Sequence, residues 1–328
     1  DRNPDFEELE KSLDADCLKI IMDYKSGNSG GKVFNRRVRD RICDLSRALA
    51  ATQNVDHFKR TLTQFYKEFG VGKLGLHKAF RVEHPENSDV EIIPITNIAH
   101  VHLDDLVGYE DAKKKLVDNT KAFVEGKKAN NCLMFGDAGT GKSSSIKAIL
   151  NQYYDQGLRM IEVYKHQFQD LNDVIAQIKN RNYKFIIYMD DLSFEEFEIE
   201  YKFLKAVIEG GVETKPENIL IYATSNRRHL IKETWNDRSD VQVDNGIHKS
   251  DTMEEKLSLV NRFGVTINYS KPSQKEFFNI AVELCRRAGV TMSGEEIKAE
   301  ANKWELSHGG ISGRTAQQFA NYLAGQRK

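Results

Sequence analysis

Apolar residues recur at near-helical spacing through the first seventy positions. Phe6, Leu9, Leu13, Cys17, Leu18, Ile20, Ile21 and Tyr24 form one such face, and the glycine-rich Lys25–Gly31 stretch ends it. Val33–Ala51 and Val55–Phe69 repeat the pattern, and Gly70–Gly75 reads as a glycine-rich bend. Val90–Pro94 and Ile98–Leu103 read as short extended pieces. From Asp104 the pattern changes. β-rich apolar runs at Asn131–Phe135, Leu158–Val163, Lys184–Met189, Asn218–Thr224 and Gly264–Tyr269 alternate with helical stretches near Ser143–Tyr154, Gln169–Asn180, Phe194–Glu209 and Met253–Val260. Such alternation, with near-continuous apolar strands, predicts an α/β fold with a central parallel sheet.

After Tyr269 the strand pattern stops and three helices are expected. Ser273-Gln-Lys-Glu276 and Ser293-Gly-Glu-Glu296 are capping boxes, in which a serine hydroxyl and a glutamate carboxylate satisfy free first-turn amides. Ser312 is a plausible cap for the last helix and Gly325 a plausible stop. The expected organisation is a mainly helical N-terminal region over 1–103, an α/β domain over 104–270 and a small helical module over 271–328 packed on the sheet.

Composition narrows the classes. Of the 328 residues 40% are hydrophobic and 30% charged, which argues against wholesale disorder. The apolar runs, such as Phe185–Met189, are far shorter than the roughly 18 residues that a bilayer span needs. The chain begins at Asp1 rather than Met, so a targeting segment ahead of it stays open. Net charge is -1, and the three segments carry 0, -4 and +3, so none has the basic balance of a dedicated nucleic-acid binder. Cys17, Cys43, Cys132 and Cys285 are scattered, which fits a reducing, cytoplasmic setting rather than a zinc or redox pair. His100 and His102 alternate but are not expected to hold a metal.

The chemistry sits in three places. Gly136-Asp137-Ala138-Gly139-Thr140-Gly141-Lys142-Ser143, followed by Ser144, fits Gly-x4-Gly-Lys-[Ser/Thr] between a strand and a helix. Glycines let the backbone curl so that its amides converge on phosphate oxygens, at a helix N-terminus that favours anions. Lys142 is expected to reach the β- and γ-phosphates, and Ser143 to offer its hydroxyl to Mg²⁺. Phe185-Ile-Ile-Tyr-Met-Asp190-Asp191 is a strand ending in acids, which delivers carboxylates to the same sheet edge. Asp190 is the expected second Mg²⁺ ligand and Asp191 the base for an attacking water. Leu220–Asn226 is a strand with a polar end, where Asn226 can orient that water.

Phosphate loop, acidic strand end, polar strand end, late arginine and helical end, in this order, resemble the AAA+ ATPases. The resemblance implies that Asn226 is the first sensor residue. It implies that Arg262 is an arginine finger for a neighbouring subunit, with Arg227 and Arg228 as rivals. Arg314, opening the last helix, corresponds to the second sensor, and Val107-Gly108 to the adenine-side segment. Gly75-Leu-His-Lys-Ala-Phe80, Asp190-Asp-Leu-Ser-Phe194, Ala223–Leu230 and Ser312-Gly-Arg314 further resemble the bacterial AAA+ family known as domain of unknown function 815. These resemblances imply a P-loop NTPase with a C-terminal lid. They also imply ATP and Mg²⁺ bound between subunits of a homo-oligomer, a ring or an ATP-dependent assembly, and an unknown protein partner met through the N-terminal helical region.

One departure stands out: the usual catalytic glutamate is Asp191, one methylene shorter. A misplaced base slows hydrolysis, so Asp191→Glu is expected to keep or raise turnover. The same departure motivates an alternative, a nucleotide-gated scaffold with little hydrolysis. A nucleic-acid remodeller related to helicase loaders is a further alternative that the charge does not support.

Overall fold

The computed structural model describes residues 36–69, 72–86, 88–194, 199–209, 216–226, 230 and 259–326. The helix expected over Phe6–Tyr24, the rival Arg227 and Arg228, and most of the Met253–Val260 stretch lie outside the described residues. The chain divides into two compact units, Asp1–Asp44 and Leu45–Lys328. Helix α1 covers Arg36–Ala50. In the second unit α2 (Val55–Phe69) follows, its first turn capped by Asn54, whose Oδ1 accepts from His57 N at 2.8 Å.

The larger unit is built on a seven-stranded sheet: β1 (Ala79–Glu83), β2 (Glu91–Ile95), β3 (Cys132–Gly136), β4 (Leu158–Glu162), β5 (Lys184–Met189), β6 (Ile219–Ser225) and β7 (Val265–Tyr269). Their spatial order is β2-β1-β4-β5-β6-β3-β7. Every neighbouring pair is parallel except the antiparallel β1–β2. The chain leaves β3 for β4, steps back through β5 and β6, and crosses β3 to reach β7. β6 is thereby inserted between β3 and β5. Beside a single helical turn at Lys73–Leu76, the longer helices are α3 (Glu110–Val124), α4 (Lys142–Tyr153), α5 (Leu171–Ile178), α6 (Ile199–Glu209), α7 (Gln274–Arg287), α8 (Gly294–Ser307) and α9 (Gly313–Gly325).

Alternate strand residues feed opposite faces. Ile187, Met189, Ile221 and Ala223 join a core with Val174 and Ile178 of α5 and Leu204 and Ile208 of α6. Ile186, Tyr188, Leu220 and Tyr222 join a second core with Leu116 and Phe123 of α3 and Ile146, Ile149 and Leu150 of α4. Each fully buried aliphatic side chain contributes about 1.5–3 kcal/mol. A third cluster, including Phe277, Ile280, Ile297, Ala316 and Phe319, holds α7–α9 together. Both capping boxes form: Ser273 Oγ accepts from Glu276 N and Ser293 Oγ from Glu296 N, each at 3.3 Å.

Three local differences from the sequence reading have physical causes. Ala79–Glu83, short and carrying Arg81 and Glu83, gives no strand signal of its own; it adds to the sheet beside β4. The apolar pattern gives no helix over 110–124, yet α3 forms there because Leu116 and Phe123 pack into the core on one face of the sheet. Ile98–Leu103 was expected to be extended but forms no strand. Its Ala99 and Val101 carbonyls are taken by Asn151 Nδ2 of α4, at 3.0 and 3.1 Å.

A buried arginine ties the glycine-rich segment to the sheet. Arg159 of β4 is 2% exposed and lies 4.2 Å from the ring centroids of both Tyr154 and Tyr183. Its Nε donates to the Leu74 carbonyl at 2.7 Å and its Nη2 to the Gly75 carbonyl at 3.2 Å. Its Nη1 donates to Tyr154 and Leu158 carbonyls at 3.1 and 2.8 Å. Arg159→Met keeps the stem but strips buried carbonyls of their donor. We expect a stability loss of about 3 kcal/mol, read as a lower urea midpoint at unchanged slope. An unchanged midpoint would refute this role.

Candidate functional site

Parallel register brings three strand ends together. Phe135 pairs with Ser225, and Met189 with Ala223. One residue further on, Gly136 therefore stands beside Asn226, and Asp190 beside Thr224. The loop after β3 then turns into α4. Gly136, Gly139 and Gly141 have φ of 135°, 76° and 94°, the left-handed region that favours glycine. Space is equally restrictive: a Cβ at Gly136 would overlap the Tyr269 carbonyl, and one at Gly141 would lie 2.7 Å from Leu106 Cδ2.

Within the loop Lys142 is buried, 6% exposed. Its Nζ donates to the Gly136 carbonyl at 2.9 Å, the Asp137 carbonyl at 2.7 Å and Asn226 Oδ1 at 3.0 Å. Burial lowers its pKa from the ordinary lysine value, against the opposing fields of Asp137, Asp191 and Asp190, while Arg314 adds to the lowering. Ser143 Oγ donates to Asp190 Oδ1 at 2.8 Å, and Thr224 Oγ1 donates to the same oxygen at 2.5 Å. Burial pushes the Asp190 carboxyl upward, but hydrogen bonds from Thr224, Ser143 and the Asp191 amide outweigh it and hold the pKa below the usual value. Asp190 is thus an anion with hydroxyls gathered around it. Hard oxygen donors of this kind suit Mg²⁺, which is held by one or two carboxylates and completes its shell with water and phosphate.

Asp191 has φ 51°, a left-handed backbone that aspartate tolerates better than most residues. Its amide donates to Thr224 Oγ1 at 3.0 Å, and its carboxylate accepts from Asn226 Nδ2 at 2.7 Å. Asn226 thus bridges Lys142 and Asp191.

These groups line a cavity of about 690 Å³, within the roughly 300–1,000 Å³ of small-molecule sites. Ala138, Gly139, Thr140, Gly141, Lys142, Ser143, Ser144, Asp190, Asp191 and Asn226 face it from the sheet edge, and Arg314 from α9. Val107 joins Ile280 and Leu284 of α7 on its apolar side, with Gly108 next in the chain at φ 86°. Tyr109 follows with φ 60°, its ring stacked on Tyr269 at 5.4 Å between centroids. Its hydroxyl donates to the Ser270 carbonyl at 3.1 Å. Burial, then Glu276, Asp137 and Tyr269, push the Tyr109 pKa up to about 12, so it stays a donor at neutral pH.

Arg262 is elsewhere. It precedes β7, whose start pairs with Cys132 and whose end pairs with Gly136, so a strand of about 16 Å separates it from the phosphate loop. Its guanidinium forms an ion pair with Glu209 at the end of α6. Among the described residues, Thr224, Tyr188, Ile280 and Leu284 are site neighbours that sequence reasoning missed. The spacing of Thr224 two before Asn226 carries no signal until the β5–β6 register is known.

No helix among the described residues is long and apolar enough to cross a membrane. Among curated proteins none matches the chain. Solved structures of RuvB from Thermotoga maritima align with it. The one described as a Holliday junction branch migration motor is 16% identical, with a TM-score of 0.45 over 67% of this chain and 63% of that one. A single-site variant of the same protein is 14% identical, with a TM-score of 0.46 over the same shares. The alignment thus spans less than two thirds of the RuvB chains. A family model described as "Protein of unknown function (DUF815)" matches residues 75–327, most of the sequence, and the chain belongs to that family.

Proposed function

We infer that this protein is an AAA+-type ATPase that binds ATP with Mg²⁺ in the cavity between the sheet edge and the C-terminal helices. Hydrolysis there would drive remodelling or switching of a partner. The observation that carries this reading is the convergence of Lys142, Ser143, Asp190, Asp191, Asn226 and Arg314 on one cavity. The loop amides and Lys142 would hold the phosphates, with Arg314 adding a second cation. Val107, Gly108, Ile280 and Leu284 would flank the base. Ser143 and Asp190 would hold Mg²⁺, which neutralises charge on the phosphates. Asp191 would take the proton of the attacking water, and Asn226 would orient that water.

Arg262 supports hydrolysis across a subunit boundary. From the far end of β7 it lies away from its own phosphate loop, so the finger role requires a second copy of the chain. Residues 271–328 would act as the lid, and the N-terminal helical region as the partner adaptor. A second reading, a nucleotide-gated scaffold, draws on one observation: the Asp191 carboxylate is already engaged by Asn226. Tight ATP binding without turnover would favour it over the ATPase.

Three outcomes are expected. Asp191→Asn should bind ATP as the parent does but lose at least about 100-fold in kcat, measured by phosphate release; parental turnover would remove Asp191 as base. Asp191→Glu should keep or raise kcat through its longer reach. It should also lose about 1 kcal/mol of stability, because glutamate fits the left-handed backbone less well; a collapse of kcat with binding intact would refute the distance argument. Arg262→Ala should bind ATP without hydrolysing it. Mixing it with Lys142→Ala chains should restore part of the turnover, and no rescue at any ratio would exclude a finger acting between subunits.

A further inference from the structure

Asp137 makes hydrogen bonds in two directions. Its carbonyl accepts from Lys142 Nζ at 2.7 Å and from Thr140 Oγ1 at 2.8 Å, both inside the phosphate loop. Its carboxylate reaches a different segment: Oδ2 accepts from the backbone amide of Lys271 at 2.8 Å. Lys271 lies in the short connection between β7 and α7, the route by which the chain enters its last three helices.

The surrounding contacts hold this connection against the loop. The Tyr269 carbonyl occupies the space that a Cβ on Gly136 would need, and the Ser270 carbonyl accepts from Tyr109. Residues 269, 270 and 271 are therefore each held at the site, the last by Asp137. Two residues further along the loop the Gly139 carbonyl accepts from the Arg314 amide at 3.0 Å. That amide is one of the first-turn donors a helix cannot satisfy internally. The loop thus touches both the entry to the C-terminal helices and the start of the last one.

A carboxylate in a phosphate-binding loop is electrostatically adverse, since it repels the anion that the loop receives. Its place here is explained by what it holds. The Asp137 side-chain oxygen gives the Lys271 amide its acceptor, and a backbone amide left without one costs free energy. Lys142 can only turn to phosphate oxygens by loosening its hold on the Gly136 and Asp137 carbonyls. The residue that loses the lysine is the residue that holds the Lys271 amide.

We propose that Asp137 is a positioning residue that couples occupancy of the phosphate loop to the hinge at Ser270–Pro272, and through it to the lid. This rests on the reading that the cavity takes ATP with Mg²⁺. Phosphates that draw Lys142 away shift the Asp137 backbone, and its carboxylate carries the shift to Lys271. The Gly139–Arg314 bond reports the same shift at α9, so hinge and lid helix move together.

The test uses the full chain as wild type, Asp137→Ala and Asp137→Asn. Asparagine can still accept from the Lys271 amide but has no charge. Affinity for a non-hydrolysable ATP analogue with Mg²⁺, steady-state kcat and KM, and amide exchange over 265–277 and 310–318 are measured on each. Both variants should bind the analogue at least as tightly as wild type, because each removes a like charge from the loop and neither removes a ligand contact. In wild type and Asp137→Asn the analogue should change exchange over both segments by about fivefold or more. In Asp137→Ala exchange should be the same with and without analogue, and kcat should fall about tenfold at nearly constant KM, the worth of one hydrogen bond. Wild-type exchange and kcat in Asp137→Ala would overturn the proposal. So would an Asp137→Asn chain that behaves like Asp137→Ala, which would assign the effect to charge. Loss of the folding transition, or of analogue binding, in Asp137→Ala would also overturn it, since the residue would then serve the fold or the site itself. An analogue that fails to bind wild type would sink the ATP reading first, which separates the two failures.

Discussion

The insertion of β6 between β3 and β5 is the constraint from which the site follows. Hydrogen-bonded in parallel on both sides, β6 aligns the phosphate loop, Asn226 and the two acids along one sheet edge. Its register is locked by packing. Ile221 and Ala223 are buried on one face, and Leu220 and Tyr222 on the other. A slip of one residue would exchange those faces, so the cores hold Thr224 against Asp190 and Asn226 against Lys142. Tyr222 adds a polar anchor, its hydroxyl meeting Thr120 Oγ1 at 3.0 Å and Asn119 Nδ2 at 2.9 Å.

On this frame the charged groups hold one another. Lys142 rests on loop carbonyls and Asn226, Asp190 on the hydroxyls of Ser143 and Thr224, and Asp191 on Asn226. Each group that would meet nucleotide or metal is therefore satisfied in a neighbouring arrangement. Binding would exchange one set of hydrogen bonds for another rather than bury bare charge. The same network makes Asn226 a junction, because it contacts the cation and the candidate base at once.

Much of this was legible in the sequence where the signal is local. The strands at 132–136, 158–162, 184–189, 219–225 and 265–269 stand within a residue or so of the apolar runs that announced them, because central parallel strands are apolar on both faces. Both capping boxes were legible because four consecutive residues contain the whole interaction. What depends on distant partners was not. Ala79–Glu83 becomes a strand because β4 is there to pair with it, and Ile98–Leu103 fails to become one because Asn151 takes its carbonyls. The link from Asp137 to Lys271 joins residues 134 positions apart, and nothing near either residue indicates it.

The central claim is that one cavity, bounded by the phosphate loop and α9, takes ATP with Mg²⁺. A calorimetric titration of the full chain tests it most directly. The account predicts saturable binding at about one site per chain, weakened about 100-fold when Lys142→Ala removes the ammonium, the worth of a charge-assisted contact. Absence of binding, or equal binding by the Lys142→Ala chain, would contradict it.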